Sequence, residues 1–385
     1  MKISITEKLG SIKSEFKQVS IDTKIDIISI ENLIEKNLNF FENFNLKLND
    51  KYSSELLAKI KSNNFPYSIS KHNEKFILNN ISNLEKIWKY LVFRYKFFLA
   101  STKKINLGYP PYILIEPVST CNLKCPFCFQ SDKSFTKKPY MGVIKKELFM
   151  KVAKEANEIG VGAITLGSRG EPTLHKDLSE MLRFLSNLKN IFEIKLNTNA
   201  TFLTEKISHT LLSNNISQIV ISADHYQKKE YEELRLGSNF EKILKNIDNL
   251  YSIREKFYKN SCTEIRISAV DAKKSLNREK FKEFWETRCD HVSVGMPLDR
   301  WDTYNNEPHP EIIEPCQNLW DRMYIWFDGK VNPCDADYKS FLSYGDVTKK
   351  SIKELWNENS IEKLRKLHLN KLRCKANPCD RCGYY

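Results

Sequence analysis

No run of about 18 apolar residues occurs in the chain, so no segment reads as a membrane span. The opening stretch, MKISITEKLGSIKSEF, lacks the unbroken apolar core of a secretory signal. No arginine stripe and no block of like charge appears, although the formal charge is +13. Lysine and asparagine are abundant throughout, so the charge reads as a bias of the whole chain and argues against a nucleic-acid partner. Residues 1–105 have no cysteine, no histidine pair and no glycine loop. A cytoplasmic location is expected, where thiols stay reduced and clustered cysteines mean metal or redox chemistry rather than disulfides. The sequence has 10 cysteines, and all but Cys262 and Cys289 fall into two groups.

Residues 1–105 read as a helical N-terminal region. Trp88, Leu91, Val92, Tyr95 and Leu99 share one helical face, flanked by Lys86, Lys89, Arg94 and Lys96. Such a face suits either a membrane surface or a neighbouring domain. Packing is the expectation, because Phe93 and Phe97 lie outside the stripe. From Pro110 onward, short apolar runs alternate with helical periodicity: YILIEP (112–117), GAITLG (162–167), FEIKLN (192–197), QIVISAD (218–224), EIRISAV (264–270) and HVSVGM (291–296). This alternation predicts an α/β fold of parallel βαβ units, wound right-handed into a partial barrel over residues 106–309. Chemistry in such folds sits on loops after the carboxyl ends of the strands. Cys262 and Cys289 precede the fifth and sixth strands, at the opposite end, and read as structural.

The first cysteine group, CNLKCPFC, follows the first predicted strand directly. Thiolates from Cys121, Cys125 and Cys128 can hold three corners of a cubane [4Fe–4S] cluster, which otherwise takes four. Zinc knuckles usually repeat C-x2-C, and no fourth ligand lies nearby. An iron left open is the mark of a catalytic centre.

This C-x3-C-x2-C segment, with Phe127 before its last cysteine, resembles the signature of the radical S-adenosylmethionine (SAM) superfamily over roughly residues 110–300. The resemblance implies that SAM chelates the open iron and is cleaved reductively to a 5′-deoxyadenosyl radical that removes a substrate hydrogen. It also implies a flavodoxin- or ferredoxin-like reductant. Gly170-Glu171-Pro172 resembles the family's GGEP turn, with Arg169 in place of its first glycine. Asn197 and Asn199 follow the third strand. Ser222 and Asp224 resemble the SxD segment that meets the ribose and carboxylate of SAM, and Arg235 matches an arginine that neutralises that carboxylate. Arg300, Trp301, Asp302 and Tyr304, after the sixth strand, are the expected substrate contacts.

Residues 310–385 hold Cys316, Cys334, Cys374, Cys379 and Cys382. YIWFDGKVNPC predicts a hairpin with a DG turn carrying Cys334, and a helix follows from Ser351. The segment resembles the SPASM/twitch module of radical SAM enzymes. That implies one auxiliary [4Fe–4S] cluster on Cys316, Cys334, Cys379 and Cys382, as in cyclitol-oxidising members, with Cys374 either surplus or replacing one of these ligands; zinc is the alternative. A fully ligated cluster implies electron transfer. The expected function is therefore oxidation of a sugar- or cyclitol-like alcohol. Modification of a peptide or protein is the second reading, and a non-catalytic metal- or RNA-binding protein the third.

Overall fold

The structure is a computed structural model and describes residues 27–295 and 302–384. Five helices come first: α1 (Ile27–Lys36), α2 (Leu38–Leu48), α3 (Lys51–Lys61), α4 (Lys71–Leu78) and α5 (Leu84–Lys103). Six strands then alternate with helices: β1 (Tyr112–Ile115), α6 (Lys146–Ile159), β2 (Ala163–Leu166), α7 (Leu178–Ser186), β3 (Glu193–Thr198), α8 (Glu205–Ser213), β4 (Gln218–Ser222), α9 (Lys228–Leu234), α10 (Phe240–Phe257), β5 (Glu264–Val270), α11 (Arg278–Trp285) and β6 (His291–Gly295). The C-terminal segment adds α12 (Asn318–Asp321), β7 (Arg322–Ile325), β8 (Lys330–Asn332), β9 (Gly345–Asp346), α13 (Ile352–Trp356) and α14 (Asn359–Leu369).

The strands form one open nine-stranded sheet in the order β6-β5-β4-β3-β2-β1-β7-β8-β9. All pairs from β6 through β1 to β7 are parallel, and β8 and β9 are antiparallel additions. Alternation decides which face each residue takes. Ile113, Ile164, Ile194, Ile219 and Ile265 point into the core beneath the helices. Their polar neighbours along the strands take the other, concave face. Gly160 in the left-handed region (φ 90°) ends α6 and turns the chain into β2.

Two features lay outside the sequence reading. The predicted hairpin is present as β7 and β8, but β7 also pairs with β1, Ile113 opposite Met323, so the C-terminal segment extends the barrel sheet itself. The N-terminal helices pack on residues at the amino ends of the strands. Ala163 joins their apolar cluster, and Tyr112 and Phe192 lie against it. Trp88, Leu91, Tyr95 and Leu99 are buried there along with Phe93, so the apolar face of α5 is a packing face. Tyr90 donates from its hydroxyl to Glu193 Oε1 at 2.7 Å, which closes the end of the sheet opposite the loops.

Candidate active site and auxiliary thiol centre

Pairing places the carboxyl ends of β1 to β4 at one rim. The Cys121–Cys128 loop leaves β1 there, and backbone contacts hold it. Ser119 N donates to Gly142 O (3.0 Å), Lys124 N to Leu236 O (2.9 Å), and Cys128 N to Cys125 O (3.0 Å). Gln130, just past the loop, donates from Nε2 to Ser119 O at 2.7 Å and also to Arg169 O. Burial pushes the Cys121 thiol up to about 11 and Cys128 up to about 12, and raises Cys125 as well. Cys121 feels the charge of Cys125, Cys128 feels both, and all three feel Arg235, so they face a shared space.

The structure brings the remaining rim residues to this loop, and it gives several of them protein partners. Gly170 is obligatory on steric grounds. A Cβ there would sit 2.3 Å from Val118 O and 2.4 Å from Thr120 O, inside the cysteine loop's own backbone. Glu171 is fully committed. Its carboxylate accepts from Thr173 N (3.1 Å), Thr198 Oγ1 (2.7 Å) and Asn199 N (2.8 Å), while its own N–H donates to Thr120 O (2.9 Å). It therefore clamps three loops together instead of presenting a free carboxylate. Asn199 donates to Asn122 Oδ1 at 2.9 Å and to Cys121 Sγ at 3.7 Å, which makes it a neighbour of the thiol.

Asp224 is likewise occupied on both oxygens, by Arg235 Nε (2.6 Å) and Val270 N (2.8 Å). It orients Arg235, whose guanidinium hydrogen-bonds the Cys125 thiol and lies 5.9 Å from the centre of the Phe127 ring. Asn197 and Ser222 stand on the inner face of β3 and β4, and Asn197 Oδ1 is buried without a donor. Tyr304 gives its hydroxyl to Asp337 Oδ1 (2.8 Å) and accepts from Lys339 N (2.6 Å), so its polar end is not open to substrate. Arg300 and Trp301 lie outside the described residues. Cys289 is buried and donates to Trp285 O (3.2 Å), and half-buried Cys262 also precedes β5 at the far end.

Arg169, standing where the family turn has glycine, points away from the rim. Its Nε donates to Glu116 Oε1 at 2.7 Å and Nη1 to Tyr338 O at 2.7 Å, while the guanidinium lies 4.0 Å from the centre of the Trp326 ring. Trp326 and Tyr338 belong to the C-terminal segment, so this side chain bolts the β1–β2 rim to it. Glu116 and Trp326 escaped the sequence reading, since neither belongs to a recognisable spacing.

The C-terminal thiols form a second gathering. Cys334 feels charge from Cys379, Cys382 and Cys316, and burial lifts Cys316 up to about 11 and holds Cys334 and Cys379 well above the ordinary thiol range. Cys374 is exposed and absent from that set. Arg373 is 2% exposed. It donates to Cys379 O (2.9 Å) and Cys382 O (2.5 Å), and its Nη1 is buried with no partner among the described residues. Cys316 N donates to His368 Nδ1 at 3.2 Å.

These residues fit iron–sulfur clusters. Both donor sets are all-thiol, the soft chemistry such clusters take. Among the described residues no three Cys, His, Asp or Glu side chains converge closely enough to hold a single metal ion. Arg373 has no carboxylate partner among the described residues, and a buried unpaired cation is costly. An anionic thiolate cluster beside it would supply the missing charge.

Comparison with known proteins agrees. Residues 115–265 match the radical SAM superfamily, and residues 316–383 match the SPASM iron–sulfur cluster-binding domain. GTP 3′,8-cyclase of Clostridium botulinum is 26% identical over 182 residues, 47% of this chain and 52% of the relative. The chain thus spans about half the length of the curated relatives it matches. Among solved structures, Streptococcus suis SuiB bound to precursor peptide SuiA superposes with a TM-score of 0.56 and 20% identity, over 77% of this chain and 75% of that one. BtrN in complex with AdoMet and 2-DOIA gives 0.50 and 18%, over 71% and 92%. No helix among the described residues is long and apolar enough to cross a membrane. The chain is therefore an enzyme of the radical SAM superfamily that carries a SPASM iron–sulfur domain after its radical SAM domain.

Proposed function

We propose that this enzyme oxidises a small polar substrate by two electrons, with Cys121, Cys125 and Cys128 holding the SAM-binding cluster. Cys316, Cys334, Cys379 and Cys382 hold a closed auxiliary cluster. The observation that carries the reading is the gathering of these four thiols with Cys374 left outside. When bound, the first cluster and SAM supply a radical that abstracts hydrogen, and the auxiliary cluster takes the second electron.

The chain's own part is positional. Arg235, oriented by Asp224, places positive charge beside Cys125 and is available to a SAM carboxylate. Asn199 and the Gly170 backbone bound the same space. The polar inner face of the sheet, below this rim, is the substrate chamber. Anaerobic turnover should release 5′-deoxyadenosine in step with a product two hydrogens lighter. Deuterium at the oxidised carbon should appear in the 5′-deoxyadenosine, and turnover without that transfer would sink the reading.

Peptide modification is the second reading, because SuiB carries a bound peptide. The N-terminal helices give it little support as a recognition element, since α5 covers the closed end of the sheet. Labelled peptide passing deuterium to 5′-deoxyadenosine would establish it instead. A flavodoxin- or ferredoxin-like protein remains the proposed reductant.

Arg373 yields a further expectation. Removing a buried cation from beside an anionic cluster disfavours the more negative, reduced state. Arg373→Gln should lower the auxiliary cluster's midpoint potential and leave that of the SAM-binding cluster in place, as read by an EPR-monitored redox titration. Equal potentials in variant and parent would remove Arg373 from this role.

A further inference from the structure

The concave face of the sheet carries charge at several layers, whereas closed barrels of this type fill the interior with branched apolar side chains. Its acids are all committed. Glu193 accepts from Tyr90 (2.7 Å) and Arg94 (3.4 Å), Glu264 accepts from Gln218 (2.6 Å), and Glu116 pairs with Arg169. Two of its cations are engaged as well. Arg322 Nε donates to Asp321 at 2.6 Å, and Arg266 donates to Ser293 Oγ at 2.8 and 3.0 Å.

Lys195, in the middle of β3, differs. It makes no hydrogen bond or ion pair among the described residues. Its neighbours along the strand, Ile194 and Leu196, fill the helix-side core, so parity turns Lys195 inward. Burial draws its pKa down to about 7, helped by Arg266 and Arg322 and opposed by Glu264 and Glu193. The two carboxylates that act on it, Glu264 and Glu193, are already bonded to Gln218 and to Tyr90 and Arg94, so its ammonium has no acid in direct contact among the described residues. Two residues along the same strand towards the rim, also facing inward, Asn197 Oδ1 lacks a donor.

We infer that Lys195, with Arg266 beside it, receives an anionic group of the substrate, a phosphate or a carboxylate, while Asn197 accepts from a neighbouring hydroxyl. The substrate class is thus a compact hydroxylated anion. The group docks on the inner face while the reacting carbon lies towards the cysteine rim. This rests on the inner face being the substrate chamber, but it does not depend on which bond is oxidised.

The test is thermal unfolding of the anaerobically reconstituted holoenzyme with SAM, titrated with inorganic phosphate, with acetate, and with chloride at matched ionic strength. Phosphate or acetate should raise the unfolding temperature beyond chloride, and the stronger anion identifies the group. Lys195→Met should weaken that anion's apparent affinity at least tenfold, and Lys195→Arg should retain it. Parent protein that responds to both anions as it does to chloride overturns the inference, as does a Lys195→Met variant that responds as the parent does. Neither result touches the deuterium-transfer test, so a failure here is distinguishable from failure of the proposed oxidation.

Discussion

Cys125→Ala is expected to abolish SAM cleavage while the auxiliary cluster survives. With one of three thiolates gone, the first cluster has too few anchors to hold a cubane in place, because its fourth iron is reserved for SAM. Iron content should fall from about eight to about four per chain, the remainder retaining the EPR signal of a fully ligated cluster. Cys125 suits this test better than its neighbours. Cys121 Sγ accepts from Leu123 N (3.4 Å) and the Cys128 thiol is bonded by the backbone of Gln130, so replacing either also disturbs the loop backbone. The loop around Cys125 is held by its carbonyl, which accepts from Cys128 N and Ser131 Oγ and is untouched by the substitution. Cleavage of SAM at the parent's rate by the variant would remove these thiols from the active site. Loss of all iron would mean that the two centres fold as one unit.

Arg169→Ala should produce the largest loss of stability among the rim variants, about 3–5 kcal/mol. The side chains of Arg169 and Glu116 are 2% and 0% exposed, so truncating the guanidinium strands a carboxylate in the interior. It also frees Tyr338 O and the face of Trp326, two contacts that tie the C-terminal segment to the rim. Replacing the pair together, Arg169→Leu with Glu116→Leu, should recover much of the loss, since a buried ion pair is worth little over apolar residues that fill its volume. Chemical unfolding followed by tryptophan fluorescence reads both variants, with Trp326 as a local reporter. If Arg169→Ala costs less than about 1 kcal/mol, the pair is not what fastens these parts together.

Sequence and structure divide the site in a consistent way. The cysteine loop was legible because three ligands within eight positions need only a short backbone excursion, whatever the rest of the chain does. The rim was legible for a related reason. A strand's apolar alternation shows where it ends, and parallel strands put those ends on one side. The separation of Cys262 and Cys289 from the chemistry followed from that directionality alone. What each rim side chain does was less legible. Glu171 and Asp224 sit where SAM contacts are expected, yet their oxygens belong to Thr198, Asn199, Arg235 and Val270. Partners on other strands cannot be read from the residues next to them.

By itself, then, the sequence determined the radical SAM and SPASM character, the parallel α/β order and the two sets of thiols. These depend on covalent spacing and periodicity, which are local. Only the tertiary structure decided that β7 joins β1, that Arg169 leaves the rim to meet Tyr338, that the N-terminal helices close the far end, and that Lys195 is turned inward among charges of both signs. Each of these brings together residues that are distant in the chain, and which faces meet is settled by burial summed over the whole core rather than by any one segment.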